Sequence, residues 1–168
     1  MPVRPARVED AAALAEVHVR TWQAAYAHVF GAERLASLDV ARRAAQWTRW
    51  LEEPQPHWRV VVDEDAAGRV VGFAWLGESR EAADEGELYA IYVLPEAWGS
   101  GAGAELMDAA LTALREDGFR AALLWVLEDN PRARRFYERE GWTTDGERRD
   151  EEFLGRPVPE LCYRIALR

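Results

Sequence analysis

The amino-acid sequence predicts an α/β (α+β) fold, in which helices cover both faces of a central mixed sheet. Three observations lead to this prediction. β-rich segments and helical patterns alternate in the second half of the chain, residues 121–127 are apolar almost throughout, and no repeat, low-complexity tract or linker divides the 168 residues. A strand that is apolar on both faces lies inside a sheet that is covered on both sides. We therefore expect one domain over residues 1–168.

The first third of the chain is predicted to be mainly helical. A short strand at residues 3–6 precedes a helix that Asp10 is placed to cap. One face of this helix has spacings of three and four residues: Leu14, Val17, Thr21 and Ala24–Ala25. A second stripe is aromatic, with a spacing of four: His18, Trp22 and Tyr26. Gly31 ends the helix, and residues 32–51 are expected to form one or two further helices before two prolines interrupt the pattern.

The rest of the chain alternates between strands and helices. Six strands are predicted, of which the first two are joined by a hairpin turn at residues 63–68: residues 58–62, 70–76, 87–93, 121–127, 142–147 and 160–167. Two helices lie between them, at residues 103–118 and 130–140, and Gly141 ends the second. The first of these helices is expected to bury one face: Met107, Ala110, Leu111 and Leu114.

The charge of the chain limits its partners. A net charge of -9 and a pI near 4.9 argue against nucleic acid, which usually binds to a basic patch. The same charge mildly favours a cationic small molecule or a peptide amine, although solubility alone explains it equally well.

The cysteine content and the hydropathy pattern bear on the compartment. Cys162 is the single cysteine and cannot form an internal disulfide, so we expect a reducing cytoplasm, although an exported protein without disulfides would look similar. No apolar run is long enough to cross a bilayer, and the first residues show no signal-peptide hydrophobic region. We therefore expect no membrane partner.

A glycine-rich turn, G-S-G-A-G at residues 99–103, lies between a predicted strand and a predicted helix. The first turn of a helix offers free backbone N–H groups and the positive end of its dipole, and glycines let a bulky anion such as a pyrophosphate approach closely. A Walker-type loop is excluded because Ala104 and Glu105 follow the last glycine, and the dinucleotide fingerprint G-x-G-x-x-G is absent. Taken alone, the turn is equally compatible with a plain connection.

Two longer segments flank this turn. Residues 87–95 read E-L-Y-A-I-Y-V-L-P, and residues 130–142 read N-P-R-A-R-R-F-Y-E-R-E-G-W. With the turn, they closely resemble the two ordered motifs of the GCN5-related N-acetyltransferase (GNAT) superfamily, V-x-P-x-x-[Q/R]-x-x-G-x-G and N-x-x-A-x-x-F/L-Y-x-x-x-G-F/W. The resemblance is strong over residues 87–142 and looser over residues 17–26. Trp98 departs from the pattern, since the family most often has Gln or Arg there.

The resemblance implies the GNAT fold, with a mostly antiparallel sheet of about seven strands, and acetyl-CoA as the acyl donor. It implies direct attack by a primary amine of a small molecule or peptide, without an acyl-enzyme. The cofactor-binding positions that it implies are Ile91, Val93, Trp98, Gly99, Ser100, Gly101, Ala102, Gly103, Ala104, Asn130, Arg132 and Tyr137. Many members pair as dimers, so a homodimer is one expectation.

Two of these residues have specific roles in the family. Tyr137 matches the tyrosine whose hydroxyl donates a proton to the coenzyme sulfur, although an ordinary buried aromatic residue is the alternative. Asn130 matches the residue whose amide bonds the pantetheine arm. It also suits a helix cap before Pro131, and the two roles are compatible.

Three residues are candidates for the acceptor side. Glu87 stands where the histone-acetylating branch has its general base, and a surface glutamate at a strand end is the alternative. Trp22 and Tyr26 are candidates for the substrate-binding wall, with core packing as the alternative. The histidines and Cys162 have no metal-ligand spacing, so we expect no metal.

The sequence leaves the function open at one further point. A non-catalytic acyl-CoA-binding or interaction domain would keep the same fold, and a nucleotide-binding module would keep the same turn. The identity of the amine acceptor has no signature in the sequence.

Overall fold

The computed structural model describes residues 3–168, and its framework is a seven-stranded sheet with the order β1-β2-β3-β4-β5-β7-β6. The strands are β1 (Val3–Pro5), β2 (Arg59–Glu64), β3 (Val70–Glu78), β4 (Gly86–Val93), β5 (Ala121–Leu127), β6 (Arg148–Phe153) and β7 (Arg156–Ala166). The helices are α1 (Ala11–Ala25), α2 (Ala27–Phe30), α3 (Ala32–Ala36), α4 (Val40–Glu52), α5 (Ala102–Glu116) and α6 (Pro131–Arg139). All pairs are antiparallel except β4 with β5. The predicted mixed, mostly antiparallel sheet is confirmed.

Helices pack on both faces of the sheet. On one face α1 and α4 cover β3, with Leu14, Val17 and Trp47 fully buried. On the other face α5 covers β2, β3 and β4, with Leu106 and Met107 fully buried. Burial of each such side chain contributes about 1.5–3 kcal/mol. Among residues 3–168, no helix combines the length and the apolar character that crossing a bilayer requires.

The parallel pair β4–β5 is the feature that positions the site. β4 pairs with β3 along most of its length, but with β5 only at Gly86↔Ala122 and Glu87↔Leu123. Gly86 is needed at this junction, because a Cβ atom there would lie 2.7 Å from Leu114 Cδ2 of α5. Beyond Glu87 the two strands separate, so a cleft opens inside the sheet.

The last strands differ from the prediction. The strand expected at residues 142–147 is wrong: only Thr143 forms an isolated bridge, with Arg164. The partner of β7 is instead β6, whose sequence R-R-D-E-E-F is rich in charge. This strand forms the edge of the sheet, where charged side chains reach solvent, so it needs no apolar pattern.

Two details of the first helix also need correction. The Asp10 side chain does not cap α1; it accepts hydrogen bonds from the Arg7 amide at 2.7 Å and from the Arg4 guanidinium at 2.8 and 3.0 Å. Ala24 is exposed rather than buried, and α1 ends one residue later.

Candidate active site

The cleft between β4 and β5 contains a cavity of about 790 Å³. It extends from the first turns of α5 and α6 to α1 and the β6–β7 hairpin. Most of the predicted site residues line it: Trp22, Tyr26, Glu87, Ile91, Val93, Trp98, Gly99, Gly101, Gly103, Ala104, Asn130, Arg132 and Tyr137. Ser100 and Ala102 do not line it, since the Ser100 hydroxyl donates to the Ala97 carbonyl at 2.6 Å and Ala102 is buried in the core.

The start of α5 presents backbone N–H groups to this cavity. In the described part of the chain, the amides of Gly99, Gly101, Gly103 and Ala104 have no hydrogen-bond acceptor. Gly99 and Gly101 have φ angles of 78° and 99°, which only glycine adopts without strain, and a Cβ atom on either would enter open space. Free amides at the positive end of a 15-residue helix form an anion site.

Cationic side chains of α6 face the same region. Arg132, Arg135 and Arg139 line the cavity, and within residues 3–168 none of them pairs with an acidic residue. Burial and then the charges of Arg139 and Arg135 lower the pKa of Arg132. Three guanidinium groups without acidic partners, next to the free amides of α5, favour the binding of an anion.

The end of β4 is held by side chains from two directions. The Val93 carbonyl accepts hydrogen bonds from the Trp98 indole at 2.8 Å and from the Thr21 hydroxyl at 3.2 Å. The departure from the family pattern at Trp98 thus gives the turn a bond to the strand that precedes it. Ile91 also lines the cavity and packs against the core under α5.

Tyr137 lies in α6 with its hydroxyl directed to the cavity and only 9% of the residue exposed. Among the described residues this hydroxyl has no hydrogen-bond partner. Burial raises the pKa of Tyr137, and the nearby Tyr92 raises it further. The phenol therefore stays protonated at neutral pH and is free to donate its proton to a group in the cleft.

Asn130 connects α6 with α1. Its Oδ1 accepts from the Ala133 amide at 3.1 Å, so the predicted helix cap is confirmed. Its Nδ2 donates to the Tyr26 hydroxyl at 3.1 Å. The amide group retains one N–H for a ligand, and the role in cofactor binding stays a prediction.

Glu87 is buried, with 1% exposed, and is paired with one residue. Its Oε2 accepts from Arg80 Nε at 3.1 Å and Nη2 at 2.5 Å, and its Oε1 accepts from the Arg80 amide at 3.2 Å. Both carboxylate oxygens are therefore engaged by the same residue. The general-base role of Glu87 stays a prediction.

The other end of the cavity is aromatic and charged. The Trp22 indole donates to the Tyr92 hydroxyl at 3.1 Å and its ring lies 5.3 Å from that of Phe153. Several residues that line this end have no local signature in the sequence: Arg80, Tyr92, Trp125, Arg149, Glu151, Phe153 and Glu160. Most of them come from β6 and β7, and they reach the cleft only because β7 pairs with β5 and β6 pairs with β7. The one available signal in the sequence for these residues was Glu160, a buried glutamate within the apolar pattern of β7.

Fold and cleft together define a class: an α/β protein with a cleft between two separated strands, free amides at the start of a helix at one end and an aromatic pocket at the other. A family model described as the acetyltransferase (GNAT) family matches residues 14–142. The uncharacterized N-acetyltransferase YuaI of Bacillus subtilis is 36% identical over 132 residues, which cover 77% of this chain and 73% of YuaI. The uncharacterized N-acetyltransferase Rv2669 of Mycobacterium tuberculosis is 34% identical over 142 residues, covering 83% and 86%.

A solved structure agrees in fold. The PaiA N-acetyltransferase of Thermoplasma acidophilum, in complex with coenzyme A, superposes with a TM-score of 0.75 over 98% of both chains at 19% identity. The chain belongs to the acetyltransferase (GNAT) family. It is an acetyl-CoA-dependent N-acetyltransferase.

The residues of the cleft fit acetyl-CoA. The free amides at the start of α5 suit a pyrophosphate, the unpaired arginines of α6 suit further phosphate charge, and the opening between β4 and β5 suits a narrow arm. When bound, this cosubstrate supplies the activated acetyl thioester.

Proposed function

We propose that this enzyme transfers the acetyl group of acetyl-CoA directly to a primary amine of a small molecule or peptide, with both substrates bound at once. One observation carries the proposal: the unpartnered Tyr137 hydroxyl and the unpartnered α5 amides open into the same cavity, which continues to an aromatic pocket. Acetyl-CoA and the acceptor amine would thus enter this cavity from its opposite ends and meet at one point within it.

The donor end consists of the α5 amides and the α6 arginines. The amides of Gly99, Gly101, Gly103 and Ala104 hold the pyrophosphate, and Arg132 adds a charge-assisted contact. Because the amides are fixed by the backbone, they orient the pyrophosphate without further ordering of side chains.

The chemistry has four changes in bonding. The C–N bond forms, the C–S bond breaks, the amine loses a proton and the sulfur gains one. Tyr137 donates its phenolic proton to the departing sulfur, and solvent restores that proton. Its raised pKa keeps the proton available throughout the neutral range.

The absence of an acyl-enzyme is supported by the nucleophiles near the cleft. Cys162 is buried in β7 outside the cavity, and burial raises the pKa of its thiol to about 11. Thr21 is the one alcohol side chain among the described lining residues, and its hydroxyl donates to Val93. Neither is prepared to attack a thioester.

The acceptor end is built from aromatic rings and carboxylates. Trp22 and Tyr26 form a wall whose ring centroids are 4.8 Å apart, and Tyr26 is fixed by Asn130. Aromatic faces beside acidic groups favour an ammonium ion with some apolar body. This is the class of acceptor that we propose.

The test is release of free thiol from acetyl-CoA in the presence of a panel of amines that includes short alkylamines, diamines and dipeptides. We expect amine-dependent release and one acetylated amine for each thiol. Tight acetyl-CoA binding without release for any amine would contradict the proposal and favour a non-catalytic acyl-CoA-binding domain.

A further inference from the structure

A second buried carboxylate lines the cavity from β7, which lies beyond β5 from the strand that carries Glu87. Glu160 lies in β7, paired in register with Leu127 of β5 and with Arg149 of β6, and only 4% of it is exposed. It lines the same cavity as Tyr137. The family motifs do not include this position.

The two carboxylates differ in their free lone pairs. Arg80 donates three hydrogen bonds to Glu87 and engages both of its oxygens. Glu160 receives one hydrogen bond, from Arg149 Nε to Oε1 at 3.0 Å, and its Oε2 has no donor among the described residues. Glu160 Oε2 is therefore the carboxylate oxygen that is free to accept an N–H from a ligand.

Arg149 also interacts with other acidic residues, which weakens its interaction with Glu160. Its guanidinium also bonds Glu81 at 2.6 Å, lies 3.6 Å from Glu151, and stacks 4.1 Å from the centre of the Trp125 ring. The single positive charge of Arg149 is thus shared by three carboxylates. An additional cation near Glu160 is electrostatically favourable.

The groups facing Glu160 come from four elements. Arg149 and Glu151 lie on β6, Arg80 follows β3, and the hydroxyls of Tyr26 and Tyr92 lie on the α1 side and on β4. Burial raises the pKa of Glu160, and Arg149 opposes this through its hydrogen bond and its charge. A carboxylate with a raised pKa is a stronger base toward an ammonium ion.

Glu160 and Tyr137 line the same cavity as Tyr26 and Tyr92. After burial, the charge of Tyr92 raises the pKa of Tyr26 and also that of Tyr137. The charge of Glu160 also raises the pKa of Tyr26 and that of Tyr92. The proton donor, the free carboxylate and the two tyrosine hydroxyls therefore belong to one cavity, in which an acceptor amine would meet the thioester.

We propose that Glu160 is the general base that removes the proton from the acceptor ammonium group. This inference rests on the proposed function and names a further catalytic residue for it. The first N–H bond breaks, its proton passes to Glu160 Oε2 and then to solvent, and its electron pair becomes the lone pair that attacks the thioester carbonyl. The nitrogen loses its second proton to solvent as the C–S bond breaks. Tyr137 supplies a proton to the sulfur. Glu87 holds Arg80 in place and transfers no proton.

The first experiment compares pH–rate profiles for the best amine of the panel. Glu160→Gln keeps the size of the side chain and removes its basicity, so kcat should fall about 100-fold or more and the acid limb of the profile should disappear. Acetyl-CoA affinity should stay unchanged. Glu147→Gln is the matched control, because Glu147 lies outside the cavity and pairs with Arg164 at the surface. It should behave as wild type, and Glu87→Gln should retain the acid limb whatever its kcat.

The second experiment varies the protonation state of the acceptor. Ethylamine is charged at neutral pH, whereas trifluoroethylamine is largely neutral and does not need the initial proton removal that is assigned to Glu160. Glu160→Gln should be impaired with ethylamine far more than with trifluoroethylamine, after subtraction of the uncatalysed rates. Glu160→Asp, which keeps a carboxylate, should recover part of the activity and the acid limb.

The outcomes separate the two proposals. If the wild-type protein releases no thiol with any amine, the proposed function itself is contradicted. Any assignment of a general base is then contradicted as well. Turnover by Glu160→Gln at the wild-type rate, or an equal loss with both amines and an unchanged acid limb, overturns the assignment of Glu160 alone.

Discussion

The guanidinium carbon of Arg132 lies 3.9 Å from the centre of the Trp98 ring. Trp98 stands where the family usually has Gln or Arg, and its indole N–H is already used by the Val93 carbonyl. The ring face therefore supports a cation from α6 beside the α5 amides. We infer that Arg132, stacked on Trp98, provides the polar group that a Gln or Arg side chain at the Trp98 position usually provides in the family.

This inference predicts coupling between the two residues. Trp98→Ala should raise the KM for acetyl-CoA about 2- to 30-fold, as expected for a partly buried cation–π contact worth about 0.5–2 kcal/mol, and Arg132→Ala should do the same. The double variant should be no worse than the more impaired single variant. Fully additive losses in a double-mutant cycle of acetyl-CoA affinities would show that the stack has no function.

A second prediction concerns the glycine turn. Gly101→Val places a branched side chain in the space above the α5 amides, so acetyl-CoA should bind about tenfold or more weakly. The φ angle of 99° adds a strain of about 1–2 kcal/mol in unfolding experiments. Gly68→Val is the matched control: its φ angle is 77° and its surroundings are open, but it lies in the β2–β3 hairpin outside the cavity. It should lose similar stability and keep its acetyl-CoA affinity, as measured by calorimetry.

A third prediction concerns the proton donor. Tyr137→Phe should lower kcat about 100- to 10,000-fold without loss of acetyl-CoA affinity, because only the proton for the sulfur is removed. Wild-type activity should persist to alkaline pH and decline only above the usual tyrosine pKa, since burial raises the pKa of Tyr137. Tyr163→Phe is the control, because its hydroxyl bonds Arg134 and Glu138 instead of facing the cavity. This variant should lose stability and keep kcat; near-normal turnover by Tyr137→Phe would exclude the proposed role.

A fourth prediction concerns stability in acid. Hydrogen bonds from Arg4 hold the pKa of Asp10 below its usual value, although burial opposes the shift. The resulting stabilisation is present above the pKa of the unfolded chain, about 3.9, and is lost as the pH falls through the lower folded value. Asp10→Asn should lower the free energy of unfolding by about 1–3 kcal/mol at pH 7, and the difference should shrink in acid. A difference that is constant between neutral and acid urea titrations would contradict this account.

The donor half of the site could be predicted from the sequence because it is contiguous in the chain. The turn at residues 99–103 and the helix with Asn130 and Tyr137 each follow a strand, so local patterns identify them. The acceptor half is assembled from distant segments. Glu160 lines the same cavity as Tyr26 only because β7 pairs with β5, and no local spacing in the sequence indicates this.

The misplaced strand at residues 142–147 has a related cause. Trp142 is apolar and fully buried, which resembles a strand, but it packs under α6 with Tyr137 instead of extending a ladder. The true strand β6 is charged because it lies at the edge of the sheet. Its Arg149 is turned toward the cleft by a bond to Glu160, an interaction that only the folded chain creates.

The central claim, direct transfer without an acyl-enzyme, has a simple test in this chain. The 21 residues counted as lysine or arginine are all Arg, so the chain has no lysine to acetylate. An acetyl group found on the protein, away from its N-terminus, would therefore mark a hydroxyl, thiol or imidazole nucleophile. Intact-mass spectrometry after rapid mixing with acetyl-CoA and an accepted amine is the most direct measurement. We expect an unchanged protein mass at every time point, while coenzyme A and acetylated amine accumulate in equal amounts. A transient acetylated protein that forms and decays at the rate of turnover would contradict the account.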